Sequence, residues 1–236
     1  MSIVVSNVTK LYGPQKALDN VSFTIPSGEI VGFIGPNGAG KSTMMKIITG
    51  FFPADSGEVT VCGLTAGPSA REMRRQIGYL PENNPLYLDM FVREYLGYVA
   101  GIYGLGSRSR EAVNSVIERT GLTPEQGKKI GALSKGYRQR VGLAQALIHD
   151  PKVLILDEAT TGLDPNQIVE IRNLISEAGK EKTVMLSTHI MQEVEAICSR
   201  VIILDHGRII ADGPIEPISS LAGARLEETF RLLTGK

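Results

Sequence analysis

A glycine-rich loop between a strand and a helix constrains this chain more than any other part of its sequence. Residues 30–34 read IVGFI, residues 35–43 read GPNGAGKST, and a helix is expected from Lys41 to about Ile48. A strand that is apolar nearly throughout is typical of a parallel sheet buried on both faces. We therefore expect an α/β protein whose parallel sheet is flanked by helices.

The loop has the composition of a phosphate-binding site. Gly35, Gly40, Lys41 and Ser42 match the pattern G-x-x-x-x-G-K-[ST], with the required strand before it and helix after it. Glycines let successive backbone N–H groups converge on phosphate oxygens, and the helix start adds partial positive charge. Lys41 would neutralise the β- and γ-phosphates and Ser42 would coordinate Mg²⁺. The alternative is a chance glycine-rich turn, which the flanking elements disfavour.

A second apolar strand, KVLILDE at residues 152–158, ends on two adjacent carboxylates, Asp157 and Glu158. Charges at a buried strand end are costly unless a cation or proton transfer offsets them. Because successive strand residues face opposite ways, we expect one carboxylate at a metal and the other at a nucleophile. Asp157 is assigned to Mg²⁺ and Glu158 to polarising the attacking water. The alternative is a solvated acidic strand end.

The segment LSKGYRQR, residues 133–140, predicts the start of another helix and a possible second anion site. Ser134 can cap the helix, Gly136 leaves its backbone open, and an apolar-periodic run follows from residue 141 to residue 148. Ser134 could also do no more than cap the helix.

The remaining elements are expected to be short. Strands are predicted within residues 3–13, 21–25, 57–63, 77–81 and 183–188, a mostly helical insert within 92–131, and a helix within 167–178. A helix is expected over 191–198, a hairpin over 200–213 that turns at residues 206–207, and an amphipathic helix over 224–233.

Composition limits the classes of protein that fit. The 236 residues are 42% hydrophobic, enough for one sizeable core, and 25 basic residues balance 25 acidic ones, whereas nucleic-acid-binding proteins usually show a basic excess. Cys62 and Cys198 have no metal-ligand or disulfide spacing, which predicts two reduced thiols in the core. No signal-peptide pattern and no apolar run of about 18 residues is present. A soluble, cytoplasmic protein is expected, with any membrane role through a partner.

Five motifs in one order carry a family resemblance. The phosphate loop, LSKGYRQR, LILDE, TTGLDP and LSTH follow one another as in ABC-transporter ATPase domains, over nearly the whole chain. The stretches YLPENNPLY and LSKGYRQRVGLAQALIHDP resemble the branch with gliding-motility and export-type ATPases. The resemblance implies a P-loop NTPase fold with a RecA-like parallel core, an N-terminal antiparallel β subdomain and an inserted α-helical subdomain.

The resemblance also implies a division of the chain and a partner. One ATPase domain spans 1–236, with the β subdomain and core at 1–91 and 146–222, the helical subdomain at 92–145 and an amphipathic tail at 223–236. Two such domains pair head to tail, so the signature motif of each, which is LSKGYRQR at residues 133–140 here, contacts ATP on the other's phosphate loop. A homodimer is the simplest arrangement, and a second ABC ATPase is the other. The implied contacts to the partner's ATP come from Ser134, Lys135, Gly136 and Asp164.

Further roles follow from matching motifs. His189 resembles the switch histidine that contacts the γ-phosphate and orients Glu158, and Tyr12 resembles the aromatic residue that stacks on adenine. His149 and His206 match no role and are expected to be ordinary surface residues. The implied ATP contacts are Tyr12, Gly35, Pro36, Asn37, Gly38, Ala39, Gly40, Lys41, Ser42 and Thr43. The implied Mg²⁺ contacts are Ser42, Asp157 and Glu82.

Three features depart from the family pattern. The signature usually reads Ser-Gly-Gly-Gln, whereas residues 134–137 read SKGY, so Lys135 adds a positive charge near the incoming phosphate. Ala159 stands where proline often follows the catalytic glutamate. Glu82 replaces a glutamine that contacts metal and water. A carboxylate can still bind Mg²⁺, but it would repel the γ-phosphate when the metal is absent.

The resemblance predicts the motor of a transporter, an exporter by branch, attached to the inner membrane face through integral membrane permease subunits. A helix of these subunits is expected in a groove between Glu82 and the insert, with residues 83–104 as its apolar wall. A soluble ABC ATPase of DNA repair or translation is the alternative. It is disfavoured by the short stretch 44–132 and by the neutral charge, so no nucleic-acid partner is expected. A non-hydrolysing scaffold is disfavoured by the intact motifs.

Overall fold

The structure is a computed structural model that describes residues 1–65, 70–220 and 226–235. The described strands are β1 Ile3–Tyr12, β2 Gln15–Ile25, β3 Ile30–Ile34, β4 Ser56–Val61, β5 Leu64–Thr65, β6 Ile77–Leu80, β7 Val153–Asp157, β8 Thr183–Ser187, β9 Arg200–Asp205 and β10 Arg208–Pro214. The described α-helices are α1 Lys41–Ile48, α2 Ala70–Arg75, α3 Val92–Ile102, α4 Ser109–Arg119, α5 Lys135–Leu147, α6 Pro165–Gly179, α7 Met191–Ile197, α8 Ile215–Ser220 and α9 Leu226–Thr234.

The strands form two sheets. The first is antiparallel, in the order β2-β1-β4-β5, and comes from the N-terminal part of the chain. The second has the order β10-β9-β3-β8-β7-β6, in which all neighbours are parallel except the edge strand β10. This is the P-loop NTPase architecture that the sequence predicts.

The second sheet is buried on both faces, as its apolar strands predict. Along β7, Val153 and Ile155 pack into the cluster that holds α1 and the antiparallel sheet, whereas Leu154 and Leu156 pack into the cluster formed by α3, α4, α5 and α6. All five residues of β7 and all five of β8 are buried. A sheet covered on both sides leaves its carboxyl edge as the place where polar loops can meet.

Strand order brings the motifs together at that edge. β8 lies between β3 and β7, so the loops after these three strands are neighbours. The phosphate loop follows β3, the two carboxylates lie at the end of β7, and residues 188–190 follow β8.

Two expectations need correction. β2 begins at Gln15 instead of residue 21, because a hairpin register pairs Tyr12 with Gln15 and extends the ladder. His149 is not an ordinary surface residue: its ring stacks on Tyr103 with centroids 3.7 Å apart, and Nε2 lies 3.0 Å from the Ile77 carbonyl oxygen. The end of α3 covers the turn between α5 and β7, and burial lowers the pKa of His149 to about 4.

His206 is 88% exposed at the tip of the β9–β10 hairpin, as expected. Cys62 and Cys198 are half-buried and pack against the core clusters instead of lying inside them, so their predicted place in the core was wrong. The amphipathic tail contains α9, while residues 223–225 and 236 of that prediction lie outside the described ranges. Within the described ranges, no helix combines the length and apolarity that a membrane crossing requires.

Candidate active site

The phosphate loop is shaped by close approaches that only glycine permits. A Cβ on Gly35 would lie 2.2 Å from the Leu204 carbonyl oxygen, and one on Gly40 would lie 2.4 Å from that of Ala17. Gly40 also has φ 109°, a value that L side chains rarely adopt. No side chain of the described residues caps the start of α1, so its first N–H groups remain available to an anion.

Lys41 lies across this loop. Its Nζ donates hydrogen bonds to the carbonyl oxygens of Gly35 at 2.7 Å and Pro36 at 3.2 Å. Burial lowers the pKa of Lys41, and the carboxylates of Glu158 and Asp157 oppose that shift. The ammonium group is therefore held over the loop and faces the acidic end of β7.

Asp157 is a buried carboxylate with an unused oxygen. Its side chain is 2% exposed, and Oδ1 is buried without a hydrogen-bond partner among the described residues. Burial raises the pKa of Asp157, while the nearby hydroxyls of Ser42 and Ser187 oppose the shift. Such a group is stabilised by a cation more than by any neighbour it has here.

Glu158 takes its position from a backbone turn. The expectation that alternation along a strand would place Glu158 was therefore wrong. β7 ends at Asp157, and Glu158 has φ 54°, in the left-handed region that glutamate rarely occupies. Its Oε2 accepts a hydrogen bond from Thr161 Oγ1 at 2.7 Å and lies 2.7 Å from His189 Nδ1. After this turn Glu158 contacts the loop that follows β8 and borders the same cavity as Asp157.

The phosphate loop, Lys41, Asp157 and Glu158 border one open cavity of about 460 Å³. Tyr12, at the end of β1, is 47% exposed at its rim, and the exposed Glu82 lies on another side. Gly35 and Ala39 are buried beneath the loop and Pro36 is half-buried. The lining residues are Tyr12, Gln15, Ala17, Asn37, Gly38, Gly40, Lys41, Ser42, Thr43, Glu82, Asp157 and Glu158.

The predicted signature residues lie elsewhere. Ser134 and Lys135 are exposed, and Ser134 Oγ caps α5 by accepting from the Tyr137 backbone N–H at 3.4 Å. Neither of them lines the cavity beside the phosphate loop, and neither do Gly136 and Asp164.

Gly136 is less open than the sequence suggests. It is buried, and a Cβ there would lie 2.7 Å from the side chain of Gln167. Gln167 belongs to a capping box at the start of α6, in which Asp164 Oδ1 accepts from the Gln167 N–H at 3.0 Å. The expectation that the backbone of Gly136 is open was therefore wrong, because α6 places an amide side chain against it.

Sequence reasoning missed four residues at the site. Gln15 and Ala17 line the cavity because β2 starts earlier than expected. Thr161 binds Glu158, and its spacing of three residues in a turn was the available signal. Ser187 is opposite Asp157 in the β7–β8 register, which aligning the two apolar strands could have shown.

Comparison with known proteins gives a family. A family model described as ABC transporter matches residues 18–161. The Nod factor export ATP-binding protein I of Rhizobium sp. (strain N33) is 38% identical over 237 residues, which cover 98% of this chain and 77% of that protein.

Two solved structures are also similar. One, the ATP-binding subunit of an ABC transporter, has a TM-score of 0.89 and 32% identity and covers 99% of both chains. The other is a dimeric ATP-binding cassette in a post-hydrolysis state, bound to ADP and phosphate. It has a TM-score of 0.82 and 27% identity, over 90% of this chain and 98% of that one.

Proposed function

Since this chain belongs to the ABC transporter family, as an ATP-binding subunit that hydrolyses ATP, we propose that two copies close around ATP to drive an exporter. Each site would join the phosphate loop of one copy to the signature helix of the other. Pairing with a different ABC ATPase in the assembled transporter would use the same surfaces. The similarity to a dimeric cassette supports pairing of two chains, and the similarity to a Nod factor export protein supports export as the direction of transport.

One observation carries the composite-site proposal. The cavity holds the phosphate loop and both carboxylates, but the helix start at Ser134 and Lys135 is exposed outside it. Ser134 takes one N–H of this helix start, the Tyr137 N–H, and the other N–H groups of the first turn would serve an anion bound mainly by another chain. Asp164, which is exposed beside the signature helix, would contact the partner as well.

Within one site, we assign roles from position. The loop N–H groups and Lys41 would hold the β- and γ-phosphates, and Tyr12 would stack on the adenine ring. Glu158 would accept the proton of the water that attacks the γ-phosphorus, while the bond to the β-phosphate oxygen breaks. His189 and Thr161 bind Glu158 Oε2, so Oε1 is the oxygen we assign to the water.

The residues fit Mg²⁺. The Oδ1 atom of Asp157 is buried and unpaired among the described residues, and Ser42 lies close enough to affect its titration. The described chain has no cluster of three His, Cys, Asp or Glu side chains suited to a metal, so phosphate oxygens would complete the shell. When bound, Mg²⁺ would neutralise charge on the phosphates. Glu82 is a further candidate ligand.

The closing and opening of the ATPase dimer would be transmitted to integral membrane subunits. A cavity of about 390 Å³ between α1, β6 and the end of α3 is lined by Phe51, Tyr79 and Tyr103. Nearby, the exposed side chains of Tyr87, Phe91 and others on the 83–104 segment supply apolar surface for a short helix of the permease. The chain would then work at the inner face of the membrane, with 92–145 as a helical subdomain that moves against the remainder.

A Glu158→Gln variant tests the dimer. It keeps the shape of the side chain and removes the base, so ATP should stay bound and closed dimers should accumulate. Light scattering after size exclusion in Mg-ATP should give twice the monomer mass for Glu158→Gln. Adding Ser134→Arg to the same chain should restore the monomer mass. A Glu158→Gln protein that binds ATP and stays monomeric would contradict the proposal.

A further inference from the structure

One buried hydroxyl group brackets His189. The Oγ1 atom of Thr188 donates to Glu193 Oε2 at 2.9 Å and accepts from the Ile190 backbone N–H at 3.1 Å. Thr188 is fully buried and Glu193 is 1% exposed. The bond to Ile190 spans residue 189, and the bond to Glu193 ties the same hydroxyl to α7, so together they hold the backbone that carries the histidine.

Packing does little to hold the side chain of His189 itself. That side chain is 59% exposed, yet its Nδ1 lies 2.7 Å from Glu158 Oε2. An exposed ring has several accessible rotamers, so its alignment depends on the backbone beneath it. The bracketing hydroxyl is thus in a position to determine how often the ring meets Glu158.

A buried glutamate at position 193 costs folding free energy. Its Oε1 is buried and has no hydrogen-bond partner among the described residues, which costs free energy. An apolar residue of similar size would avoid that cost. What the carboxylate adds is a strong, charged acceptor for the Thr188 hydroxyl.

We propose that Thr188 and Glu193 are positioning residues that hold His189 in register with Glu158 during ATP hydrolysis. The inference rests on the proposed roles of His189 and Glu158. Neither positioning residue lines the nucleotide cavity. Their loss should therefore lower kcat and leave the affinity for ATP unchanged.

Thr188→Val keeps the shape and removes the hydroxyl, and Thr188→Ser keeps the hydroxyl and removes a methyl group. We expect Thr188→Val to lower kcat on the order of 10- to 100-fold, the effect of a small misplacement of a reacting group. Thr188→Ser should stay within about threefold of wild type on the same argument.

Thr120→Val is the matched control. Thr120 is equally buried and its hydroxyl donates to the Val116 carbonyl oxygen at the end of α4, away from the site. It should lose stability as Thr188→Val does and keep its kcat. Equal kcat in Thr188→Val and Thr120→Val, with both folded, would overturn the proposal.

A double-mutant cycle separates positioning from general damage. If Thr188 acts through His189, then Thr188→Val should change kcat by less than about twofold in a His189→Ala background. A full additional loss in that background would also overturn the proposal. Should Thr188→Val not fold, Glu193→Gln and Glu193→Leu replace it: the glutamine can still accept from Thr188 and should retain kcat, and the leucine should not.

The His189→Ala variant distinguishes failure of the positioning proposal from failure of the role assigned to His189. If His189→Ala hydrolyses ATP as fast as wild type, the assigned role of His189 is wrong and the positioning proposal falls with it. If His189→Ala is slow and Thr188→Val is not, only the positioning proposal falls.

Discussion

His189 Nδ1 lies 2.7 Å from Glu158 Oε2, which joins the loops that follow two adjacent strands, β7 and β8, into one unit. Glu158 reaches this contact with φ 54°, a conformation that costs free energy unless its surroundings enforce it. Strain of this kind is common at functional sites, and here it accompanies the contact of a glutamate with a histidine. The pair is therefore the part of the site where a single change should separate binding from hydrolysis.

Glu158→Gln should lower the ATP turnover rate by about 10²-fold or more, because the amide cannot accept the proton of the attacking water. ATP affinity should stay near that of wild type, since the phosphate loop is untouched. Phosphate release and equilibrium nucleotide binding measure the two effects. Glu118→Gln, an exposed position on α4, is the matched control. Near-normal turnover in Glu158→Gln would remove Glu158 from the mechanism.

Asp157→Asn should make the nucleotide-free protein more stable at neutral pH. The folded protein binds the proton of Asp157 more tightly than the unfolded chain, whose ordinary pKa is 3.8. Stability is therefore lost as pH rises from 3.8 through the raised pKa, and the uncharged asparagine avoids that loss.

We expect Asp157→Asn to raise the melting temperature at pH 7, and the size of the rise measures the free energy that the buried charge costs. The difference should shrink below pH 3.8, and the exposed Asp89→Asn should show none of it. A lower melting temperature at pH 7 would mean that Asp157 is satisfied without a cation.

His149→Phe should flatten the decline in stability on the acidic side of neutrality. The folded-state pKa of His149 is about 4, against an ordinary value of 6.5, so the unfolded chain takes up a proton first as pH falls. Stability is lost from pH 6.5 towards pH 4, by up to about 1.4 kcal/mol per pH unit.

Phenylalanine keeps a ring against Tyr103 and removes this titration. Urea unfolding at pH 7.5, 6.5 and 5.5 measures it, with the exposed His206→Gln as control. Parallel curves for wild type and His149→Phe would show that His149 titrates alike in both states.

The sequence predicts the main strands, the phosphate loop and the carboxylates at the end of β7 well, because each depends on residues that are neighbours along the chain. The apolar runs at residues 30–34 and 153–157 and the pattern around Lys41 depend on neighbours along the chain, and the structure has them as strands and a loop. The contacts of His149 with Tyr103 and of Gly136 with Gln167 depend on how helices from distant parts of the chain pack. No periodicity encodes such contacts, which is why both residues were misjudged.

The two carboxylates show the same limit at the site. Alternation along a strand predicted that Asp157 and Glu158 would face different ways, yet both border the same cavity and differ in burial and in hydrogen-bond partners. The cause is a left-handed turn at Glu158, which no glycine or asparagine in the sequence announces. The bond from Thr161 belongs to that turn, and its three-residue spacing from Glu158 is the one signal of it in the sequence.

Glu82→Gln should tighten ATP binding in EDTA and change it less when Mg²⁺ is present. Glu82 borders the same cavity as Lys41 and Asp157, so its carboxylate would repel the γ-phosphate of ATP. Two unit charges at about 4 Å interact by about 4 kcal/mol at an effective dielectric of 20. That energy is an upper limit here, because Lys41 screens the carboxylate from the phosphate. Relief of that repulsion matters most for metal-free ATP.

If Glu82 binds Mg²⁺, the same substitution should raise the Mg²⁺ concentration for half-maximal hydrolysis. Titrating ATP and Mg²⁺ separately distinguishes the two cases. Curves identical to those of wild type would limit Glu82 to the groove proposed for the membrane subunit.

The central claim is that each ATP is shared between two chains, and mixing two inactive variants tests it most directly. Lys41→Ala damages the phosphate loop and Ser134→Arg damages the signature helix, so each homodimer has two defective sites. A mixed dimer combines both defects in one site and leaves the other intact. ATP hydrolysis should therefore reappear on mixing, at about half the wild-type rate per heterodimer if the sites act independently. Hydrolysis that stays at the level of the separate variants, with heterodimers demonstrated by light scattering or cross-linking, would contradict the account.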